Sequence, residues 1–192
     1  MSNAEAAQLL LERPNPDLGE VRALLRDIVD ADERAGQVIR RLRAMLKRSA
    51  PQRQPLSLNE IVEGVLQFVR TDLVRRGVTA DVKLEPGLKQ VFADRVPIEQ
   101  VLINVIGNAC DAMSGNAEGD RALTIATLAD ATEACVRIED VGSGLPANPE
   151  QVFDAFYTTK PEGLGMGLAI SRSIVAAHGG RLDARPNRPR GA

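Results

Sequence analysis

Apolar residues recur at helical spacing along the first quarter of the chain. Residues 4–12 predict the end of a helix, which Pro14-Asn15-Pro16 would break. A second helix is predicted over about 17–48, with Asn15 as its cap and Pro16 in its first turn. Its apolar seam alternates steps of three and four residues, as heptads do. The seam comprises Leu18, Val21, Leu25, Ile28, Asp32, Ala35, Ile39, Leu42 and Leu46, of which only Asp32 is polar.

A second apolar row widens this face. It consists of Leu24, Ala31, Val38 and Met45. A face of this width is typical of a four-helix bundle rather than a two-stranded coil. Two short helices of one chain cannot bury it alone, so the pattern predicts a homodimer of helical hairpins. A helix packed on its own domain is the alternative.

A polar linker with two prolines, residues 49–56, predicts a domain boundary that separates residues 1–50 from 51–192. Ser57-Leu58-Asn59-Glu60 then reads as a capping box opening a helix to about Arg76. Strands are predicted near 78–84, 91–93, 122–129 and 133–139, and a final one from about Arg181. Helices are predicted over about 97–113 and 167–177. This order indicates an α+β fold, a two-layer α/β sandwich with one mixed sheet and helices on one face.

Composition narrows the function classes. The chain has 192 residues, a formal net charge of −2, 3% aromatic residues and no Trp. A nucleic-acid partner is therefore not expected, because such surfaces need basic excess or aromatic platforms. No apolar run approaches about 18 residues and no signal peptide is visible, which predicts no membrane contact and a cytoplasmic location. Cys110 and Cys135 lie in apolar runs without a CxxC motif, which predicts buried, reduced thiols.

The predicted helix over 97–113 carries an unusual polar face. Gln100, Asn104, Asn108 and Asp111 follow one another at steps of four, four and three residues, so they line one side. Asn is a poor helix former, and a solvated face usually carries Lys and Glu instead. An amide oxygen is a suitable ligand for Mg²⁺, which also binds phosphates. The alternative is an ordinary solvated face.

Two glycine-rich stretches border predicted elements. Residues 140–144 (DVGSG) follow a strand, where the Asp140 carboxylate could accept a hydrogen bond from an adenine amine; the same pattern also describes a plain turn. Residues 163–167 (GLGMG) open a helix, whose N–H groups could face phosphate. Neither stretch has the spacing of a Rossmann site or a P-loop.

Residues 152–160 (VFDAFYTTK) hold three of the five aromatic residues. Phe153, Phe156 and Tyr157 predict a small core cluster and, in addition, a hinge for a mobile loop over a nucleotide. Lys160 could contact a phosphate as a point charge.

Together these segments resemble the N, G1, F and G2 boxes of histidine kinases, in that order. Those kinases belong to the ATPase/kinase superfamily that includes gyrase, Hsp90 and MutL. The resemblance covers about residues 57–185, and the preceding helical segment also matches. It implies the Bergerat α/β sandwich, ATP and Mg²⁺ as cofactors, a homodimer through the hairpin, and the receiver domain of a response regulator as partner.

The resemblance also implies roles for individual residues. Asn108 would be the Mg²⁺ ligand, with Asn104 beside it as a second metal ligand, and Asn104, Asn108 and Lys160 would form the catalytic set. Asp140 would bind the adenine amine. The full nucleotide-binding set is Asn108, Asp111, Asp140, Gly142, Gly144, Thr159, Lys160, Gly163, Leu164, Gly165, Met166, Gly167 and Leu168.

The resemblance further separates transfer from hydrolysis. Gyrase-type ATPases carry a Glu base four residues before the metal-binding Asn, where this chain has Asn104, and an amide cannot take a proton from water. In the kinases the nucleophile is a histidine on the first hairpin helix. The one histidine here, His178, is predicted to cap a helix before Gly179. The acceptor is therefore expected upstream of Met1, and a further strand is expected after the final residues ARPNRPRGA.

Three other functions fit parts of this pattern. A related ATPase that drives a clamp would hydrolyse ATP, and Asn104 weighs against it. A protein serine kinase of the same superfamily is disfavoured by the heptad segment. A scaffold that binds no nucleotide is unsupported by the motifs.

Overall fold

A computed structural model describes residues 2–14, 16–29, 52–129, 132–160, 163–187 and 191–192. The chain divides into two compact units, Met1–Ala50 and Pro51–Ala192. This division agrees with the boundary predicted at the proline-containing linker.

The first unit begins with helix α1, Asn3–Leu11. The sequence predicted residues 4–12 to be the last part of a helix. Ser2 opens it with a reciprocal capping box to Glu5. Helix α2 covers the described residues 18–29. Its cap is Asp17, whose Oδ1 accepts hydrogen bonds from the N–H groups of Gly19 (2.8 Å) and Glu20 (3.2 Å). The predicted cap Asn15, and the helix predicted over 30–48, lie outside the described residues.

The heptad seam of α2 is only partly covered within the described residues of this unit. Val21 is buried, as are Ala7 and Leu10 of α1. Leu18 and Leu25 are 58% and 50% exposed. Apolar side chains at helical spacing that remain in water are what a helix leaves for another helix to cover.

The second unit follows the predicted order of elements closely. The helices are α3 (Leu58–Arg75), α4 (Arg95–Ala112) and α5 (Gly167–Ala177), with a 3₁₀ turn at Pro149–Phe153. The strands are β1 (Gln54–Leu56), β2 (Thr79–Lys83), β3 (Val91–Ala93), β4 (Ala122–Ala129) and β5 (Ala134–Asp140). Ser57 caps α3 as predicted, accepting a hydrogen bond from the Glu60 N–H at 3.4 Å.

The main sheet has the strand order β2-β4-β5 and is mixed, as predicted. β4 pairs parallel to β2 and antiparallel to β5. However, the strands do not form a single sheet, since β1 and β3 make a separate antiparallel ladder. Residues 54–56 were predicted to belong to the linker. They form a strand because Leu56 is buried in the core and is the ladder partner of Val91, which a polar linker pattern does not reveal.

The core lies between the main sheet and one layer of helices. Ile61 and Val62 of α3, Ile106 of α4, and Leu123 and Ile125 of β4 are all almost fully buried in one cluster. The apolar faces of α3 and α4 therefore cover one side of the sheet, which confirms the two-layer α/β sandwich.

A polar network reaches the core at Thr127, which is 1% exposed. The Thr127 hydroxyl donates to Asn59 Oδ1 (2.7 Å) and accepts from the Glu85 N–H (2.8 Å). The Asn59 amide in turn donates to the Glu85 carbonyl (2.9 Å). Each of these groups has a partner, so burying them costs little.

Two local predictions are wrong. Cys110 is buried, but Cys135 is exposed, because alternate residues of β5 face away from the core. The strand predicted from about Arg181 is not present, since residues 180–187 have no regular structure. The exposure of the side chains alternates over these residues, as it does in an extended chain. However, Arg181 and Arg185 form ion pairs with Asp183 on the surface (3.6 and 3.8 Å). Pro186 also offers no N–H to a ladder.

Within the described parts of the chain, none of the helices has both the length and the apolar character needed to cross a bilayer.

Candidate nucleotide site

The polar face of α4 is placed as the spacing predicted. Asn104, Asn108 and Asp111 are partly exposed. The opposite face is buried by Val101, Leu102, Ile106, Ala109 and Cys110. The helix is therefore held by its apolar side, and its amide and carboxylate groups remain available to a ligand.

Lys160 meets this face at Asn108 and Asp111. Its Nζ donates a hydrogen bond to Asn108 Oδ1 at 3.3 Å and forms a short ion pair with Asp111 Oδ2. The sequence predicted a phosphate-contacting cation at this position. The structure brings that cation to the amide oxygen predicted to bind Mg²⁺.

Arg76, at the end of α3, holds the other oxygen of Asp111. Its Nη1 donates to Asp111 Oδ1 at 2.6 Å, and its Nε lies 2.9 Å from Asp72 Oδ2. None of the sequence motifs includes this residue. Its contact joins two helices, so the spacing within either helix gives no sign of it.

The carboxyl of Asp111 is held in its charged form. Burial acts to raise its pKa, but hydrogen bonds from Lys160 and Arg76 outweigh burial and lower the pKa below its ordinary value. For Arg76, burial acts to lower the pKa, and the bond to Asp111 together with the charge of Asp72 raises it instead. Asp111 and Arg76 therefore stabilise each other as ions.

Asn104 lies between α4 and α5. Its Nδ2 donates to Ser171 Oγ at 3.0 Å, and Ser171 is only 2% exposed. A Cβ atom added at Gly167 would lie 2.5 Å from Asn104 Oδ1, so glycine is required for this close approach. Asn104 thus fixes the first turns of α5. Its predicted role as a second metal ligand stays a prediction, and the sequence analysis missed Ser171.

Asp140 ends β5 with its side chain 6% exposed. One carboxylate oxygen accepts a hydrogen bond from the Gly142 N–H at 2.7 Å. Burial raises the pKa of Asp140, and hydrogen bonds from the N–H groups of Gly142 and Ala192 only partly oppose it. The Asp140 backbone N–H also donates to the Ala192 carbonyl at 2.8 Å, and Asn187 donates to the Asp140 carbonyl at 3.1 Å.

The turn after Asp140 is docked on the end of α4. The Ser143 N–H donates to the Ala112 carbonyl (3.1 Å), and Asn116 Nδ2 donates to the Val141 carbonyl (2.9 Å). A Cβ atom at Gly142 would lie 2.6 Å from the carbonyl carbon and oxygen of Ala112. The missing side chain of Gly142 is therefore what lets this turn approach the helix.

Arg121 fastens the ends of α3 and α4 together. Its guanidinium donates to the backbone carbonyls of Arg76 (2.6 Å), Ser114 (3.1 Å) and Asn116 (2.9 Å). Carbonyls at a helix end have no partner within the helix, so a guanidinium with several N–H groups is well suited to them. The sequence analysis did not identify this residue.

The aromatic segment and the second glycine stretch contact each other. The Phe156 N–H donates to the Gly165 carbonyl at 2.9 Å. Gly165 has φ 63°, and a Cβ atom there would lie 2.4 Å from the Phe156 carbonyl carbon. Phe156 itself has φ 70°, which strains a residue with a Cβ by about 1–3 kcal/mol.

The predicted aromatic core cluster is only partly correct. Phe153 is buried, with the Arg172 guanidinium 4.6 Å above its ring. Phe156 is 74% exposed, because its left-handed backbone turns it away from the core. No observation tests the predicted hinge.

The remaining predicted residues lie along the segment that leads into α5. Met166 is the N-cap of α5 and Gly167 its first residue, while Gly163 lies against the Thr158 side chain. Thr159 and Leu164 are exposed, and Gly144, which lies near Gly191, and Leu168 are partly buried. Their contacts with a nucleotide stay predictions.

His178 caps α5, as predicted. Its Nε2 accepts a hydrogen bond from the Asp94 N–H (3.2 Å), and its Nδ1 lies 2.7 Å from the Ile174 carbonyl. Since Nε2 accepts, Nδ1 carries the proton and donates it to that carbonyl. Both ring nitrogens are therefore engaged, and neither is free to act as a nucleophile.

The donor set fits Mg²⁺. Among the described residues, no group of three or more His, Cys, Asp or Glu side chains could hold a metal by itself. Mg²⁺ commonly takes one or two protein ligands and completes its shell with phosphate oxygens and water. The Lys160 ammonium on Asn108 Oδ1 shows that this amide oxygen faces a cation.

The chain is similar to known proteins over most of its length. The model of the histidine kinase-, DNA gyrase B-, and HSP90-like ATPase family matches residues 93–192, more than half of the chain. The sensor protein FixL of Bradyrhizobium diazoefficiens is 36% identical over 188 residues, which is 96% of this chain and 37% of FixL. The chain thus spans little more than a third of that relative.

Solved structures agree with the sequence relatives. The nucleotide-free catalytic domain of histidine kinase ThkA is similar with a TM-score of 0.64 and 29% identity, over 73% of this chain and 92% of that domain. ThkA in complex with the response regulator protein TrrA covers 98% of this chain, and 54% of that chain is matched, with a TM-score of 0.73. At 21% identity this second likeness shows the fold alone. The chain belongs to the histidine kinase-, DNA gyrase B- and HSP90-like ATPase family, and it carries the ATP-binding catalytic domain of a sensor histidine kinase.

Proposed function

We propose that this chain binds ATP with Mg²⁺ and directs the γ-phosphoryl group to a histidine of a sensor histidine kinase. The observation that carries the proposal is the convergence on α4. Asn108 and Asp111 meet Lys160 on its polar face, and the Asp140–Gly142 turn is docked on its C-terminal end. Adenine and phosphates can therefore be held from one rigid helix.

Each group has a chemical task in this proposal. The Asp140 carboxylate accepts a hydrogen bond from the adenine amine, and Lys160 and the N-terminus of α5 bind phosphate oxygens. Asn108 is the Mg²⁺ ligand, and Asn104 lies beside it. The metal, when bound, neutralises charge on the phosphates.

The residues proposed to surround the phosphates favour transfer of the phosphoryl group over hydrolysis of ATP. Asn104 occupies the place of the Glu base of related ATPases, and an amide cannot accept a proton from water. Its nitrogen is also committed to Ser171. Phosphoryl transfer then depends on bringing a histidine into line with the γ-phosphate.

The partners follow from the same proposal. Residues 1–50 would be part of a dimerisation hairpin, and residues 51–192 the ATP-binding domain. The half-exposed Leu18 and Leu25 are available to a second copy of the chain. The next acceptor would be an aspartate of a response-regulator receiver domain, a partner class named for ThkA. Because the substrate is ATP, the proposed compartment is the cytoplasm.

We expect the 192-residue chain to bind ATP with Mg²⁺ without becoming labelled by γ-³²P-ATP and without steady release of phosphate. The reason is that its one histidine, His178, is engaged at both ring nitrogens, and Asn104 offers water no base. Gel autoradiography and a phosphate-release assay measure the two outcomes. Rapid release of phosphate would favour a clamp ATPase. A labelled band would contradict the proposal that the histidine that accepts the phosphoryl group is not among these 192 residues.

A fusion tests the positive half of the proposal. The chain is joined behind the segment of FixL that precedes the matched region, which in this proposal supplies the hairpin helix with its histidine. The fusion should acquire acid-labile label and pass it to a receiver domain, and the same fusion with Asn108→Ala should not. A fusion that stays unlabelled while it binds ATP would argue against transfer.

A further inference from the structure

The guanidinium of Arg76 lies on the opposite side of Asp111 from Lys160. Arg76 Nη1 bonds Asp111 Oδ1 at 2.6 Å, while Lys160 takes Asp111 Oδ2 and reaches Asn108 Oδ1 at 3.3 Å. Four side chains from three segments thus form one continuous polar chain. Arg76 stands at the C-cap of α3, outside all four sequence motifs.

The contacts of Arg76 favour Asp111 over its other partner. The Arg76 Nε is 2.9 Å from Asp72 Oδ2, but the two groups are not aligned as a hydrogen bond. The bond to Asp111 is aligned. The backbone of Arg76 is fixed as well, because Arg121 binds its carbonyl and its N–H donates to the Asp72 carbonyl at 3.0 Å. These contacts therefore hold the guanidinium where it can donate its hydrogen bond to Asp111.

An unneutralised Asp111 would oppose nucleotide binding. Asp111 forms an ion pair with Lys160, the cation proposed to contact phosphate. Its negative charge would therefore lie close to a bound triphosphate and would repel it. Because Arg76 binds Oδ1 of Asp111, the charge of the carboxylate is neutralised at the oxygen that Lys160 does not contact. The ammonium of Lys160 is then shared with Asn108 instead of being the only counter-ion of Asp111.

We propose that Arg76 is a positioning residue of the nucleotide site, which acts through Asp111 to neutralise its charge and to station Lys160 at Asn108. This inference rests on the proposed function, since it names a residue that tunes the same site. Arg76 does not touch the nucleotide in this scheme. Its contribution should therefore be seen in nucleotide affinity and should require Asp111.

Isothermal calorimetry of ATP binding, with and without Mg²⁺, tests this on the 192-residue chain. Arg76→Gln should weaken binding about tenfold, which is the size expected for one charge-assisted contact. Arg76→Lys keeps the charge with poorer geometry and should lose about threefold. The matched control is Arg75→Gln, because Arg75 is 69% exposed and pairs with the same Asp72 at 2.8 Å. It should stay within about twofold of the unaltered chain.

A double-mutant cycle separates positioning from general support of the fold. In an Asp111→Asn background, Arg76→Gln should change the affinity by less than about twofold. An equal loss in both backgrounds, or no loss in either, would overturn the proposal. Thermal unfolding of each variant shows whether a loss of ATP affinity results from unfolding of the protein. If Arg76→Gln does not fold, the double-mutant cycle is repeated with Arg76→Lys. Failure of the unaltered chain to bind ATP would instead refute the proposed function.

Discussion

Asp140→Asn is expected to lower ATP affinity about 100-fold while leaving the fold intact, since the bond lost joins a buried carboxylate to a ligand amine. The Gly142 N–H donates to one side-chain oxygen of Asp140, and the Ala192 N–H also donates to this carboxyl group. An asparagine would keep its oxygen for these N–H groups and turn its own NH₂ toward the adenine amine. Two donors would then face each other.

The same substitution should not reduce stability at neutral pH. Burial raises the pKa of Asp140, so its charged form is disfavoured in the folded state. A carboxyl with a raised folded pKa loses stability as pH rises through the interval from its unfolded value, about 3.9, to its folded value. The neutral amide of the Asp140→Asn variant would avoid that loss. Any stabilisation of the variant should therefore be present at pH 7 and should vanish below about pH 4.

Calorimetry and denaturant unfolding measure the two effects separately. Glu139→Gln is the matched control, since Glu139 is the neighbouring strand residue on the opposite face of β5. It should leave ATP affinity within about twofold. If Asp140→Asn binds ATP as the unaltered chain does, then Asp140 does not contact adenine.

Gly142→Ala is expected to destabilise the second unit by about 1–3 kcal/mol and to remove ATP binding. The added Cβ would lie 2.6 Å from the backbone of Ala112, which is part of α4 and cannot move aside. Relief requires the turn to lift from the helix, which breaks the hydrogen bond from the Ser143 N–H to the Ala112 carbonyl. The adenine and phosphate ends of the site would then lose their common support.

Gly115→Ala provides the comparison, because a Cβ atom there meets nothing within 4 Å. Urea unfolding should show almost no change for this variant, and ATP binding should persist. Equal stability of the two variants would mean that the turn is not packed on α4 as described.

The sequence was most informative where one element carries the information by itself. Steps of four, four and three place Gln100, Asn104, Asn108 and Asp111 on one face of α4, and their partial exposure agrees. The capping of α3 by Ser57 and of α5 by His178 was also readable, because a cap depends only on neighbouring residues.

Contacts between elements could not be read in this way. Arg76 meets Asp111 across 35 positions and Asn104 meets Ser171 across 67, and no periodicity relates such pairs. The ladder of β1 and β3 was missed for the same reason, since its strands are short and β1 lies within the predicted linker. The cap observed for α2 is Asp17, which bonds the N–H groups of Gly19 and Glu20.

The exposed thiol of Cys135 illustrates a limit of composition. Its apolar neighbours predicted burial, yet a strand turns alternate side chains to opposite faces, and the described helices α3 and α4 cover one face of this sheet. Which face is covered depends on the packing of α3 and α4.

The proposed function depends above all on Asn108 holding Mg²⁺ while Asp140 holds adenine near the same helix end. A calorimetric titration of ATP into the unaltered chain and into Asn108→Ala, each with and without Mg²⁺, measures this coupling. Mg²⁺ should strengthen ATP binding about tenfold or more in the unaltered chain and hardly at all in the variant. An equal effect of Mg²⁺ on both proteins, or no ATP binding by the unaltered chain, would show that this arrangement does not hold the nucleotide.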